Sequence, residues 1–303
     1  MIGTYQPRRN RNWLLLLPLA GLIATASAQT DAAASARRGI ALAEQGRCKE
    51  ALPVLGGALP RVTDKQLRYN AGMAEARCAM AVEQDNTAVA ALLELKREFP
   101  DDPEVLYVTV HYFSQLAMRT SQELAAKAPA SPQARRLEAE NFESQGKWDE
   151  AAGIYKGILD RNPGLPGIHY RLGQVLLSKA GESGPVDAAR AEFEKELEVD
   201  PRNAAAEFVL GELARRAGHW EEAARHFASA SRLDIGFAEA YLALGMSLAA
   251  AGKFAEAVPP LETYVKIEPA DPSGHYQLAL AYRRTGNNEG AQRELALQKQ
   301  VTK

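Results

Sequence analysis

Between residues 238 and 271 the apolar positions keep the spacing of two helices. Tyr241, Leu244, Gly245 and Leu248 recur three and four residues apart, which puts them on one helical face. Ala251, Gly252 and Lys253 interrupt the pattern. Ala257, Leu261, Tyr264 and Ile267 resume it, and Pro269 closes it. The stretch predicts two amphipathic helices joined by a tight turn. The same pattern recurs in both directions at a period of 34.

From residue 132 onward the units begin near 132, 166, 204, 238 and 272. The unit from 166 is four residues longer than the period, and the excess falls in the turn from Ala180 to Pro185. An insertion in a turn adds little to the closure cost. Two units precede this array, at about 31–63 and 65–100, and a third, at about 102–129, is degenerate: its turn glycine is missing, and it is read as two helices. The predicted division is a leader at 1–28, irregular repeats at 29–131 and a regular array at 132–303. Gly173, Gly211 and Gly245 allow the two helices of a unit to approach closely. Gly146, Gly218, Gly252 and Gly286 fit a helix end that needs a left-handed residue. Pro163, Pro201 and Pro269 stop the second helices.

This arrangement of large, small and proline positions resembles the tetratricopeptide repeat, and the resemblance covers nearly all of the chain after residue 28. It implies an all-α, right-handed superhelical solenoid of about eight helix pairs. It also implies a scaffold that binds a protein or peptide, and not an enzyme. No single unit buries its apolar face alone, so stacking must supply the core.

The composition agrees with close-packed helices: 46% of residues are hydrophobic but only 7% are aromatic. A formal charge of −2 gives no electrostatic basis for binding nucleic acid or an anionic membrane. Arg8, Arg9 and Arg11 precede the apolar run Trp13 to Ala24, and Ala26, Ser27 and Ala28 follow it. That order predicts a secretory signal peptide cleaved after Ala28, with the mature chain in the periplasm and not inserted in the membrane. A run of 12 apolar residues is well short of the roughly 20 that span a bilayer. Export gives meaning to the two cysteines, Cys48 and Cys78. In an antiparallel stack they lie at neighbouring helix ends, which predicts a disulfide; the alternative is two unpaired core thiols.

No catalytic or metal-binding constellation stands out, and no cofactor is expected. The five histidines (His111, His169, His219, His226 and His275) show neither His-Glu-x-x-His spacing nor cysteine partners. His169 and His275 occupy equivalent positions on first helices, where a packing role is expected. Gly181 to Pro185 has a superficial likeness to a serine-nucleophile loop but falls in a turn insertion.

The resemblance also implies a groove lined by the fifth, ninth, twelfth and thirteenth residues of each unit. Here these are Tyr170, Gln174 and Leu177; Phe208, Glu212, Arg215 and Arg216; Leu242, Met246 and Ala249; and Tyr276, Leu280, Arg283 and Arg284. They predict an aromatic and aliphatic strip flanked by two arginine pairs, suited to a peptide bearing carboxylates. The alternative is an envelope glycan or another small ligand on the aromatic strip. Tyr170 and Phe208 stand where chaperone-tail receptors of the family carry a lysine, which argues against that specificity.

Overall fold

The computed structural model describes residues 20–180 and 186–302, with side chains for 29–179 and 186–302. All regular structure among the described residues is helical. The predicted signal segment lies outside them, apart from the backbone of residues 20–28, as does the turn insertion at 181–185. The chain divides into two compact units, residues 1–120 and 121–303.

In the first unit α1 (Ala20–Glu44) pairs with α2 (Cys48–Ala58), and α3 (Lys65–Ala81) pairs with α4 (Asp85–Glu98). One core joins them, with Leu55, Leu92 and Val105 fully buried. Each fully buried side chain of this size stabilises by about 1.5–3 kcal/mol. Cys48 and Cys78 are joined by a disulfide, with their Cα atoms 4.8 Å apart. It ties the first residue of α2 to the end of α3 across a separation of 30 residues, worth roughly 3–4 kcal/mol on the chain-entropy argument.

The third sequence unit departs from expectation. It is one helix, α5 (Pro103–Lys127), not two. Asp102 caps it, accepting a hydrogen bond from the Val105 amide at 2.9 Å. Its continuity has a local cause. Every described turn inside a helix pair contains a left-handed residue, and none occurs between 103 and 127. With nothing to reverse the chain, the helix runs on.

The second unit contains five helix pairs: α6 (Pro132–Ser144) with α7 (Trp148–Leu159), α8 (Ile168–Ala180) with α9 (Val186–Val199), and α10 (Ala204–Arg216) with α11 (Trp220–Leu233). They are followed by α12 (Ala238–Ala250) with α13 (Phe254–Ile267), and α14 (Pro272–Arg284) with α15 (Asn288–Val301). Its apolar interior is a succession of small clusters, each shared by successive helices, as a stacked array requires. A β-carbon on Gly245 would come 2.4 Å from Leu261 Cγ, so only glycine allows α12 and α13 this separation. The turn between them is closed at Gly252 (φ 79°): its amide donates to Ala249 O at 3.0 Å, and the Lys253 amide donates to Leu248 O at 2.8 Å. The α3–α4 turn makes the same two bonds through Glu83 (φ 58°), the non-glycine exception among these turns.

One helix start is capped from outside its own segment. Glu196, on α9, is fully buried. Its Oε1 accepts from the Gly167 amide at 2.7 Å and from Asn203 Nδ2 at 3.2 Å, and its Oε2 accepts from the Tyr170 amide at 3.1 Å. A buried carboxylate is tolerated here because it satisfies the free amides and positive pole of α8.

Candidate partner-binding surface

The residues expected to line the groove all lie on first helices of the second unit: α8, α10, α12 and α14. The packing of each helix against its neighbours sorts them into two groups.

The first group is engaged internally. The Tyr170 ring lies edge-on to Phe193, with centroids 5.5 Å apart, and its hydroxyl accepts a hydrogen bond from Gln174 Nε2 at 3.1 Å. Burial pushes the Tyr170 phenol above its usual range. Phe208 packs against Phe227 at 5.3 Å and Phe237 at 4.8 Å. Arg215 donates to both carboxylate oxygens of Glu212, at 3.0 and 2.7 Å. Those bonds hold its guanidinium even more firmly protonated than usual. Leu177, Leu242 and Ala249 pack against the core clusters, and Leu280 is half-buried.

The second group is open. Met246 is 38% exposed and Tyr276 is 44% exposed, on α12 and α14, which touch. Arg216 and Arg283 are exposed, and the structure shows no ion pair for either. Arg284 is exposed and lies over the Phe254 ring at 5.4 Å. Exposed apolar side chains on α12 and α14, in one array with unpaired guanidinium groups on α10 and α14, suit a chain that presents both apolar side chains and carboxylates.

Three histidines have a role that spacing alone did not suggest. His169 Nδ1 lies 2.6 Å from Glu192 Oε2, His226 Nδ1 lies 2.6 Å from Glu207 Oε2, and His275 Nδ1 lies 2.6 Å from Glu294 Oε2. Each contact crosses between the two helices of one unit. The signal was present as a His–Glu separation of 19 in two units and 23 in the unit with the four-residue insertion. Near α6, Tyr155 donates to Glu143 Oε1 at 2.5 Å, and Arg171 lies 3.0 Å from Glu143 Oε2. Burial and that carboxylate bond push the Tyr155 phenol well above its usual range.

The groove register also applies to the first unit, where the expectation had not carried it. Aligning Gly72 with Gly173 puts Tyr69, Met73 and Arg77 on the same face of α3. With Ile40 and the disulfide they line a cleft of about 470 Å³. Tyr69 donates to Asp102 at 3.2 Å and Arg77 donates to Glu104 at 2.6 Å, so its two polar tips are already engaged. Among the described residues no cluster of three or more His, Cys, Asp or Glu side chains is placed to hold a metal, and no helix is long and apolar enough to cross a membrane.

The profile of the tetratricopeptide repeat matches residues 119–166, 178–236, 210–275 and 242–298, which together make up more than half of the chain. Among solved structures, YrrB, described as a TPR protein with an unusual peptide-binding site, aligns with a TM-score of 0.51 at 20% identity. The alignment covers 60% of this chain and 91% of YrrB. MamA aligns with a TM-score of 0.48 at 21% identity, over 54% of this chain and 94% of its own. The likeness to YrrB is one of fold. A search of curated proteins finds no match.

Proposed function

Because this chain belongs to the tetratricopeptide repeat family, we propose that it is an exported scaffold that binds a protein or peptide partner in the cell envelope. The observation that carries this reading is the open row on the last first helices. Met246 and Tyr276 are exposed on touching helices, with Arg216 and Arg283 left without ion partners in the same array. Such a row binds passively. It is held by the core beneath it, so an extended partner bears most of the ordering cost. The guanidinium groups select acidic residues, and Met246 adapts to the shape of the apolar ones.

Export rests on the basic, apolar and small-residue order of residues 1–28, and a periplasmic location is consistent with the joined Cys48 and Cys78. The glycan alternative requires several open rings. Tyr170 and Phe208 have theirs against core aromatics, leaving Tyr276 as the open one of the three.

The test is crosslinking capture from the envelope of the source cells, comparing the parent with a Met246→Glu, Tyr276→Ala, Arg283→Glu variant. These side chains are exposed, so the variant should fold as the parent does. Phe208→Ala is unsuitable, because it would remove a packed ring. A defined protein captured by the parent and lost from the variant supports the reading. Equal capture by both, or capture by neither, overturns this surface as the binding site.

A further inference from the structure

On the face of α3 turned away from Tyr69 and Met73, the first unit contains a second cavity, of about 380 Å³. Leu59 on one side and Ala91 and Leu95 on the other give it an apolar lining. Glu75 also lines it, half-buried, and its carboxylate makes no hydrogen bond or ion pair in the structure. A β-carbon on Gly56 would come 3.1 Å from Glu75 Oε1, so the glycine leaves room for that oxygen. The other charged side chains that line the cavity, Arg68, Glu94 and Glu98, all have ion partners, one of them the exposed Arg97 outside the lining. Arg68 pairs with Glu98 and lies 3.6 Å from Glu94, which also pairs with Arg97. Glu75 is therefore the lining carboxylate left without a partner, beside the apolar side chains of Leu59, Ala91 and Leu95.

An unpaired, partly buried carboxylate is unfavourable, and removing one negative charge or supplying one positive charge relieves it. We propose that this cavity binds a primary alkylammonium ion, with the nitrogen on Glu75 and the carbon chain against Leu59, Ala91 and Leu95. Burial raises the Glu75 carboxyl from its ordinary value, because its charged form is disfavoured with no cation beside it. The site lies within the first unit and does not depend on the scaffold reading above. Its ligand is either a free amine or the side chain of a lysine.

Isothermal titration of the full chain near neutral pH tests the proposal, with n-hexylammonium as the probe and n-hexanol as its neutral counterpart. Saturable binding of n-hexylammonium is expected, with hexanol weaker by about tenfold or more, and Glu75→Gln should weaken the ammonium by a similar factor. Thermal unfolding of the Glu75→Gln protein, expected to be unchanged or raised, separates loss of the site from loss of the fold. No binding of n-hexylammonium, equal binding of hexanol, or undiminished binding to Glu75→Gln overturns the proposal. A further arm uses N-acetyl-lysine methylamide. Binding as tight as that of n-hexylammonium makes a lysine side chain the natural ligand, and weaker binding makes it a free amine.

Discussion

His226 and Glu207 hold each other's places relative to the neighbouring unit. In α8–α9 the histidine is on the first helix and the glutamate on the second; in α10–α11 the order is reversed, with the same 2.6 Å contact from Nδ1 to Oε2. His275 and Glu294 return to the first order. The α12–α13 unit has Tyr241 and Pro260 at these places, and Tyr241 donates instead to the Ser231 carbonyl at 3.2 Å. Where a histidine and a glutamate occupy these places, their contact is indifferent to direction.

That indifference predicts a rescue. His226→Glu alone sets two carboxylates against each other, and Glu207→His alone sets two imidazoles together. Each should cost about 1–2 kcal/mol. The double exchange should recover most of the loss, seen as a coupling energy in denaturant unfolding. Additive losses would show that the contact contributes nothing.

Glu196 predicts a larger effect. Glu196→Ala leaves the Gly167 and Tyr170 amides and the Asn203 side chain without their acceptor, at a cost of about 3 kcal/mol. Amide hydrogen exchange at Tyr170 should accelerate along with the loss of stability. Unchanged exchange there would mean that α8 starts without this cap.

Glu83 predicts a gain. It holds φ 58° in a turn where other units use glycine. Glu83→Gly should stabilise the first unit by about 0.5–1 kcal/mol, the left-handed penalty less the added freedom of the unfolded chain. A rise in thermal midpoint checks it.

Glu75 predicts a pH dependence of the first unit. Burial raises its folded pKa above the unfolded value, so the native state holds its proton more tightly. No penalty exists below the ordinary carboxylate range. It grows as pH climbs through that range and is complete above the folded pKa. Glu75→Gln should therefore stabilise the protein at neutral pH and change it little in acid, as measured by denaturant midpoints across pH. Equal effects at both pH values would count against the burial account.

Much of the fold was legible because its determinants are local. Gly146, Gly218, Gly252 and Gly286 have the left-handed φ their positions implied, and Pro163, Pro201 and Pro269 follow second helices that have ended. The third unit was less legible: its missing glycine pointed to an uninterrupted helix but did not decide it, since Glu83 makes the α3–α4 turn without one, and the reading as two helices was wrong. The candidate surface was less legible, because register fixes the face of a helix but not what covers it. Tyr170 and Tyr276 share a register position. Tyr170 meets Phe193, whereas Tyr276 stands exposed, and no spacing within either helix distinguishes them.

The Cys48–Cys78 bond also bears on the order in which the array can be secured. Both sulfurs belong to the first 78 residues, and α3 ends at Ala81. In a chain that emerges amino end first, this lock can close before α4 or any later helix exists. Its closure fixes α2 against α3 and offers α4 a finished surface to dock on. Assembly of the first unit thus has a covalent starting point, one that none of the five helix pairs of the second unit shares.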